Sequence, residues 1–259
     1  MTGPMIFAPE YYTHLATLEA ASWWNAGMRT AARRLLRLAG MPAQGTLLDL
    51  GCGSGQTLAW FRGEFPEWRT VGFDLSREGL HVARMAGEAV CEASALALPF
   101  PDHTFDAAIT FDVLQHLPLD GGDATALREA RRVLKPGGVL LVRTNAQSIP
   151  HTPPDQGYNF RKYTSRELRA VVELAGFEIS RLGRLNALLG LAEIPRELRA
   201  RRAAGSGYHG HLGHVPTPGW SWYLKRGWLE LEGALVSRGG SLPLGRTLLA
   251  LARAREMPT

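Results

Sequence analysis

Apolar and helix-patterned segments alternate along this chain. Short, largely apolar runs occupy Thr46–Leu50, Thr70–Asp74, Ala89–Ala93, Phe105–Phe111 and Gly138–Arg143. Between them, Gly55–Arg62, Arg77–Ala86 and Asp123–Leu134 read as helices. Apolar strands separated by helices predict a parallel sheet covered on both faces. Residues 9–40 predict two further helices. In the second, Met28, Ala31, Ala32, Leu35 and Leu38 form a helical stripe that Gly40 and Pro42 stop. Near the other end, Thr164–Glu167 has the spacing of a capping box, opening a helix to Ala175 that stops at Gly176. Strands Phe177–Leu182 and Arg246–Ala254 complete a set of seven.

The segment 185–242 breaks the alternation. It holds "RELRARR", then "GSGYHGHLGH", then an aromatic helix over Ser221–Val236. So long a stretch is too much for a structureless loop in a compact domain, and predicts a helical cap. Trp220, Leu224, Trp228, Leu231 and Leu235 recur at helical spacing, so core packing or a dimer face is the first expectation. With Lys225 and Arg226 alongside, the stripe also suits an apolar acceptor pocket or a membrane surface. His209, His211 and His214 lie on glycine-rich sequence without neighbouring Cys or carboxylates. That is a poor metal set, better read as a loop over a pocket, and no metal is expected.

The first apolar run ends in a bare turn, Gly51-x-Gly53-x-Gly55. Glycines at a strand's carboxyl end let a ligand approach the backbone, and the next helix offers unpaired N–H groups. The second run ends in Asp74, about 20 residues downstream, where a nucleotide-binding unit places its ribose acid. An N-cap role is the alternative for Asp74, but Ser76 can fill that position. The glycine spacing departs from the Gly-x-Gly-x-x-Gly of dinucleotide sites, which leaves a nicotinamide dehydrogenase as a fallback only.

Composition changes little. The 259 residues are 45% hydrophobic and 20% charged, which suits one large domain with a substantial core. A net charge of +5 permits acidic partners, and solvated arginines on helices account for it equally well. Cys52 and Cys91 are the only cysteines, too few for a disulfide framework, so a reducing cytoplasm is expected. The opening "MTGPMIFAPEYYTHL" lacks a basic region followed by an apolar run, and no stretch is long and apolar enough to span a membrane.

Four motifs in order carry a resemblance: "LLDLGCGSG", "VGFDLS", "ALPFPDHTFDAAITFDVLQHL" and "EARRVLKPGGVLLV". Together they resemble the class I S-adenosylmethionine-dependent methyltransferases over Leu47–Arg143, and "RKYTSRELRAVVELAGFEISRL" extends the likeness through Leu182. The resemblance implies a Rossmann-like α/β fold with a seven-stranded, mostly parallel sheet. It divides the single domain into an N-terminal helical lid (1–40), a cofactor-binding core (41–184), a helical insertion (185–245) and a last strand with tail (246–259). It implies S-adenosylmethionine as cofactor. Asp49, Gly51, Cys52 and Gly53 would face its methionine part, Asp74 its ribose, and Leu75 its adenine. Family members often hold the adenine amino group with an acid where this chain has Ser94, so Ser94 and the Ala95 backbone are the adenine contacts here. Phe111 would lie near the transferable methyl.

Methyl transfer asks mainly for proximity, alignment and exclusion of water. His116 is the best placed candidate for a base or a positioning group, with loop packing as the bland alternative. Tyr11, Tyr12, Arg161 and Tyr163 are candidates to touch the acceptor. A small-molecule acceptor is the leading expectation. The dispersed basic residues and the lack of Asp/Asn-Pro-Pro-aromatic or Pro-Cys signatures argue against a nucleic-acid acceptor. A cofactor-binding protein without turnover is the third reading. A monomer or a homodimer fits the pattern equally.

Overall fold

The computed structural model describes residues 9–147, 161–191 and 219–255. Seven strands form one sheet: β1 (Gly45–Leu50), β2 (Trp68–Asp74), β3 (Val90–Glu92), β4 (Phe105–Phe111), β5 (Leu134–Asn145), β6 (Phe177–Leu185) and β7 (Thr247–Ala254). Their order is β3-β2-β1-β4-β5-β7-β6. Strands β1 to β5 pair in parallel, and β7 runs antiparallel to both β5 and β6. The order reverses between β1 and β4. In such sheets the crevice for a ligand opens there, beyond the carboxyl ends of the strands.

The helices that lie wholly among the described residues are α1 (Pro9–Ala21), α2 (Trp23–Leu38), α3 (Gln56–Glu64), α4 (Arg77–Met85), α5 (Gly122–Val133), α6 (Ser165–Leu174) and α7 (Trp220–Ser237). Side chains alternate across each strand. Leu48, Leu50, Ala108, Leu140 and Val142 therefore pack with α5 and α6. Leu47, Ile109, Leu141 and Leu249 pack on the other face with α2, Phe61 of α3, and α7. By the same alternation Asp49, Phe111 and Arg143 belong to the α2 face, at the carboxyl edge.

The element pattern is close to expectation. The Thr164 hydroxyl accepts from the Glu167 N–H at 3.2 Å and the Glu167 carboxylate accepts from the Thr164 N–H at 2.7 Å, completing the capping box. Helix α5 ends at Val133, because Leu134 already pairs with Phe105 of β4. In α2, Met28, Ala31, Ala32 and Leu35 are buried with Leu36, whereas Leu38 is exposed.

The insertion departs most. Helix α7 exists, but Trp220, Leu224, Trp228, Leu231 and Leu235 are all exposed, so the expected core stripe is the outer face. The buried face is Leu229, Glu232, Gly233 and Val236. Small residues decide this. A Cβ on Gly233 would lie 2.6 Å from the Ala31 Cβ, and one on Gly27 2.8 Å from Leu229. Helices α2 and α7 therefore approach closely, which a periodicity of large side chains does not reveal. His209, His211, His214 and "RELRARR" lie outside the described residues.

Candidate functional site

The glycine turn after β1 bends the chain sharply into α3. Gly51 has φ +74°, and a Cβ there would sit 2.4 Å from Val113 Cγ2. Gly53 has φ +50°, and a Cβ on it would meet nothing within 4 Å, so the backbone borders open space. The turn is pinned to the next strand, since the Gly51 and Cys52 N–H groups donate to the Phe73 carbonyl, each at 2.9 Å. The Cys52 side chain packs with Leu58 and Leu80. Burial pushes its thiol well above the ordinary range, so it remains protonated and inert.

Asp74 joins the turn to α4. Its Oδ2 accepts from the Gly53 N–H and its Oδ1 from the Ser76 N–H, each at 2.8 Å. Ser76 is the true N-cap, accepting from the Gly79 N–H at 3.1 Å. Each Asp74 oxygen keeps a further lone pair, the requirement for binding two neighbouring hydroxyls. Leu75, beside it, is 68% exposed. Ser94 closes a small turn, its Oγ accepting from the Leu96 N–H at 3.2 Å, and Ala95 is buried.

Asp49 lies at the carboxyl end of β1, 2% exposed. Among the described residues its Oδ2 accepts no hydrogen bond. Burial, reinforced by Asp74 and opposed by Arg143, pushes its carboxyl up to about 8. A buried carboxyl oxygen without a partner, next to an open backbone, leaves a hydrogen-bonding position for a group from outside the chain.

Across the switch point, Phe111 faces Arg143 in register. The Arg143 guanidinium lies 4.5 Å from the Phe111 ring and 4.7 Å from that of Trp24. Its Nε donates to Asp112 Oδ2 at 2.8 Å, and Nη2 lies 2.6 Å from the same oxygen. The Asp112 N–H donates back to the Arg143 carbonyl at 2.9 Å, which holds Asp112 at φ +60°. A non-glycine residue in that region costs conformational energy that its surroundings must offset.

Helix α1 crosses this edge. A Cβ on Gly79 would lie 3.0 Å from Tyr12 Cε1 and 3.1 Å from the Gly53 carbonyl carbon, so ring, helix start and glycine turn meet at one point. Tyr12 is buried there. Further along, burial raises the Glu19 carboxyl, with Arg143 and Arg29 opposing and Asp112 reinforcing. Tyr11 lies on α1, but its side chain is outside the described residues.

His116 ends the 3₁₀ turn Leu114–His116 after β4. Its side chain reaches solvent. The surrounding protein still desolvates the ring and lowers its pKa, with Asp112 and Asp74 opposing. It is therefore neutral at pH 7 and able to accept a proton. The turn is held from behind. Gln115 Oε1 accepts from the Asn145 N–H at 3.0 Å and the Thr144 hydroxyl at 3.3 Å. Arg161 and Tyr163 find protein partners rather than an open face. Arg161 pairs with Asp123 and donates to the Pro118 and Leu119 carbonyls. The Tyr163 hydroxyl donates to Asp123 Oδ2 at 2.9 Å. Burial alone would raise Asp123, but the Arg161 and Tyr163 hydrogen bonds outweigh it and hold this carboxyl low. The pair fixes the loop that bears His116.

Arg143, Glu19 and Arg29 were not among the residues singled out in the sequence. For Arg143 there was a signal, a charge closing the apolar run "VLLVR". Glu19 and Arg29 have none, because only the crossing of α1 and α2 over the sheet edge brings them in.

A seven-stranded sheet of this order, with a glycine turn and an acid at the first two carboxyl ends, defines a Rossmann-like methyltransferase fold. Residues 48–142 match the family model described as a methyltransferase domain. A demethylmenaquinone methyltransferase of Thermus thermophilus is 33% identical over 182 residues, covering 66% of this chain and 78% of its own. A tRNA (carboxymethyluridine(34)-5-O)-methyltransferase of Arabidopsis thaliana is 35% identical over 105 residues, 40% of this chain and 25% of that one. Among solved structures, Haemonchus contortus phosphoethanolamine N-methyltransferase 2 in complex with S-adenosyl-L-methionine shares the fold. Its TM-score is 0.61 at 16% identity, over 97% of this chain and 59% of that one. The chain belongs to the class I S-adenosylmethionine-dependent methyltransferases. It spans 25% to 44% of the length of the first four curated relatives it matches.

Proposed function

We propose that this chain transfers the methyl group of S-adenosylmethionine to a small-molecule acceptor. The observation that carries the reading is the unsatisfied, buried Asp49 carboxyl beside the open Gly53 backbone. The cofactor supplies an electrophilic methyl on a sulfonium. Asp49 and the glycine turn hold the amino-acid end, Asp49 directly or through water. Asp74 binds the ribose hydroxyls with the lone pairs left over from Gly53 and Ser76. Leu75 covers the adenine, with the Ser94–Ala95 turn at its edge. Once the ligand's ammonium draws the proton off Asp49, the carboxylates of Asp49, Asp74, Asp112 and Glu19 outnumber the cations of Arg143 and Arg29 around the cleft, which suits a ligand bearing ammonium and sulfonium charges.

The acceptor enters between the carboxyl ends of β4 and β5 and helix α1. Tyr12 and Glu19 make α1 a lid that excludes water, and Phe111 supports the methyl-bearing end. Alignment for in-line displacement then provides most of the acceleration. His116 receives the acceptor's proton where one must leave. Arg161 and Tyr163 act through the loop that carries it.

A nucleic-acid acceptor is the second reading, favoured by the likeness to the plant tRNA enzyme. That likeness covers a quarter of the plant enzyme, so it speaks mainly for the shared cofactor half. The test is incubation with methyl-labelled S-adenosylmethionine and fractionated cell extract. Label in a small-molecule fraction is expected; label confined to RNA overturns the acceptor class. Asp74→Asn is expected to weaken S-adenosylhomocysteine binding roughly ten- to a hundredfold, the scale of lost charge-assisted hydrogen bonds. Unchanged affinity refutes the ribose assignment. With the first acceptor found, His116→Asn should abolish the acid limb of the pH–rate profile, and an unchanged profile leaves His116 a loop residue.

A further inference from the structure

Helix α7 is apolar on two opposite faces. Leu229, Gly233 and Val236 are buried against α2 and β6. Trp220, Tyr223, Leu224, Trp228, Leu231 and Leu235 are exposed, Trp220 by 79% and Leu231 by 66%. At helical geometry these six share one arc, turned away from α2. Leu188 and Leu191, just beyond β6, are exposed too. A helix with a second apolar face of this size needs a second apolar environment.

The charges around that face select its kind. Neither acid of α7 is free on the surface: Glu230 is half-buried and Glu232 buried. Glu232 is buried and accepts from the Asn186, Ala187 and Trp228 N–H groups. Glu230 takes Arg226 at 2.8 Å and the Thr30 hydroxyl at 3.3 Å. The exposed polar residues of the helix and its end are Ser221, Lys225 and Arg238. The exposed residues of the helix thus combine Trp, Tyr and Leu with two cations, Arg238 at the end of the outer face and Lys225 on the flank beside α2, and no acid. That is the composition of a helix lying among lipid headgroups. A two-fold dimer through the same face would set the Lys225 and Arg238 charges of one copy against those of the other, with no exposed acid on the helix to pair them.

We propose that the outer face of α7 docks on an anionic lipid surface. The helix is coupled to the cleft through the junction of α1 and α2. The Trp222 indole donates to the Ala21 carbonyl at 2.9 Å, and Lys225 Nζ lies 5.9 Å from the Trp23 ring. The next residue, Trp24, lies against Arg143. Docking does not depend on the methyl-transfer reading, and cofactor binding serves as its control.

The test is co-sedimentation of the full chain with vesicles of equimolar phosphatidylglycerol and phosphatidylcholine, or of phosphatidylcholine alone. Binding to the anionic vesicles is expected, loosened by salt. The pair Leu224→Glu with Leu231→Glu, and separately Lys225→Glu with Arg238→Glu, should each weaken it roughly tenfold or more. Each should keep S-adenosylhomocysteine binding and melting temperature. Should one pair fail to fold, the other decides. No sedimentation of the parent, equal sedimentation of the folded variants, or a parent dimer that Leu224→Glu with Leu231→Glu dissolves would overturn the proposal.

Discussion

At Asp49 the chain buries a carboxyl that its own residues leave partly unsatisfied. A carboxyl raised to about 8 is neutral in the empty protein at pH 7. Its contribution to stability is full below the unfolded value near 3.9 and is lost as pH rises through about 8. An ammonium placed beside it reverses the preference and draws the proton off. S-adenosylhomocysteine should therefore bind with release of a proton below about pH 8, and more tightly as pH rises toward that value. Calorimetry in buffers of different ionisation enthalpy reads the proton directly. Asp49→Asn should abolish the release. A wild-type protein that binds without releasing a proton would place the ammonium elsewhere.

Between elements, the α2–α7 contact carries the clearest consequence. Gly233 and Ala31 meet with no room for a side chain. Gly233→Ala should cost about 1–3 kcal/mol by overpacking. The melting temperature should fall by roughly 2–4 °C for each kcal/mol. Thermal melts check this, and an unchanged melt would mean the helices separate freely. Helix α1 is tied differently, through Tyr12 at the glycine turn and the Trp222 bond to its last carbonyl.

For the whole molecule, the insertion helix shares its core with the sheet. Leu229 and Val236 of α7 belong to the cluster that contains Leu47, Ile109, Leu141 and Leu249. Of the seven tryptophans, Trp23, Trp24, Trp220, Trp222 and Trp228 lie in α2 and α7. Tryptophan fluorescence therefore reports mainly that layer, and far-ultraviolet circular dichroism the whole. The two transitions should coincide on denaturation, as a single cooperative unit requires. An earlier fluorescence transition would make α2 and α7 a separable cap.

The sequence by itself determined the order of strands and helices, the glycine turn, Asp74 and the Thr164–Glu167 cap. Each of these is a local pattern or a fixed spacing: a period, a backbone conformation, an acid set about 20 residues past a glycine turn, or a side chain bonding within a few residues of itself. Only the tertiary structure decided which face of α7 is buried, since the close approach depends on Gly27, Ala31 and Gly233 from distant segments. Only it gathered Glu19 and Arg143 around Asp49 and set Arg29 beside Glu19, and only it gave Arg161 and Tyr163 their partners in Asp123. Those charges meet because the chain reverses at the β1–β4 boundary and folds its first two helices over that edge, and no spacing along the sequence encodes a meeting of residues so far apart.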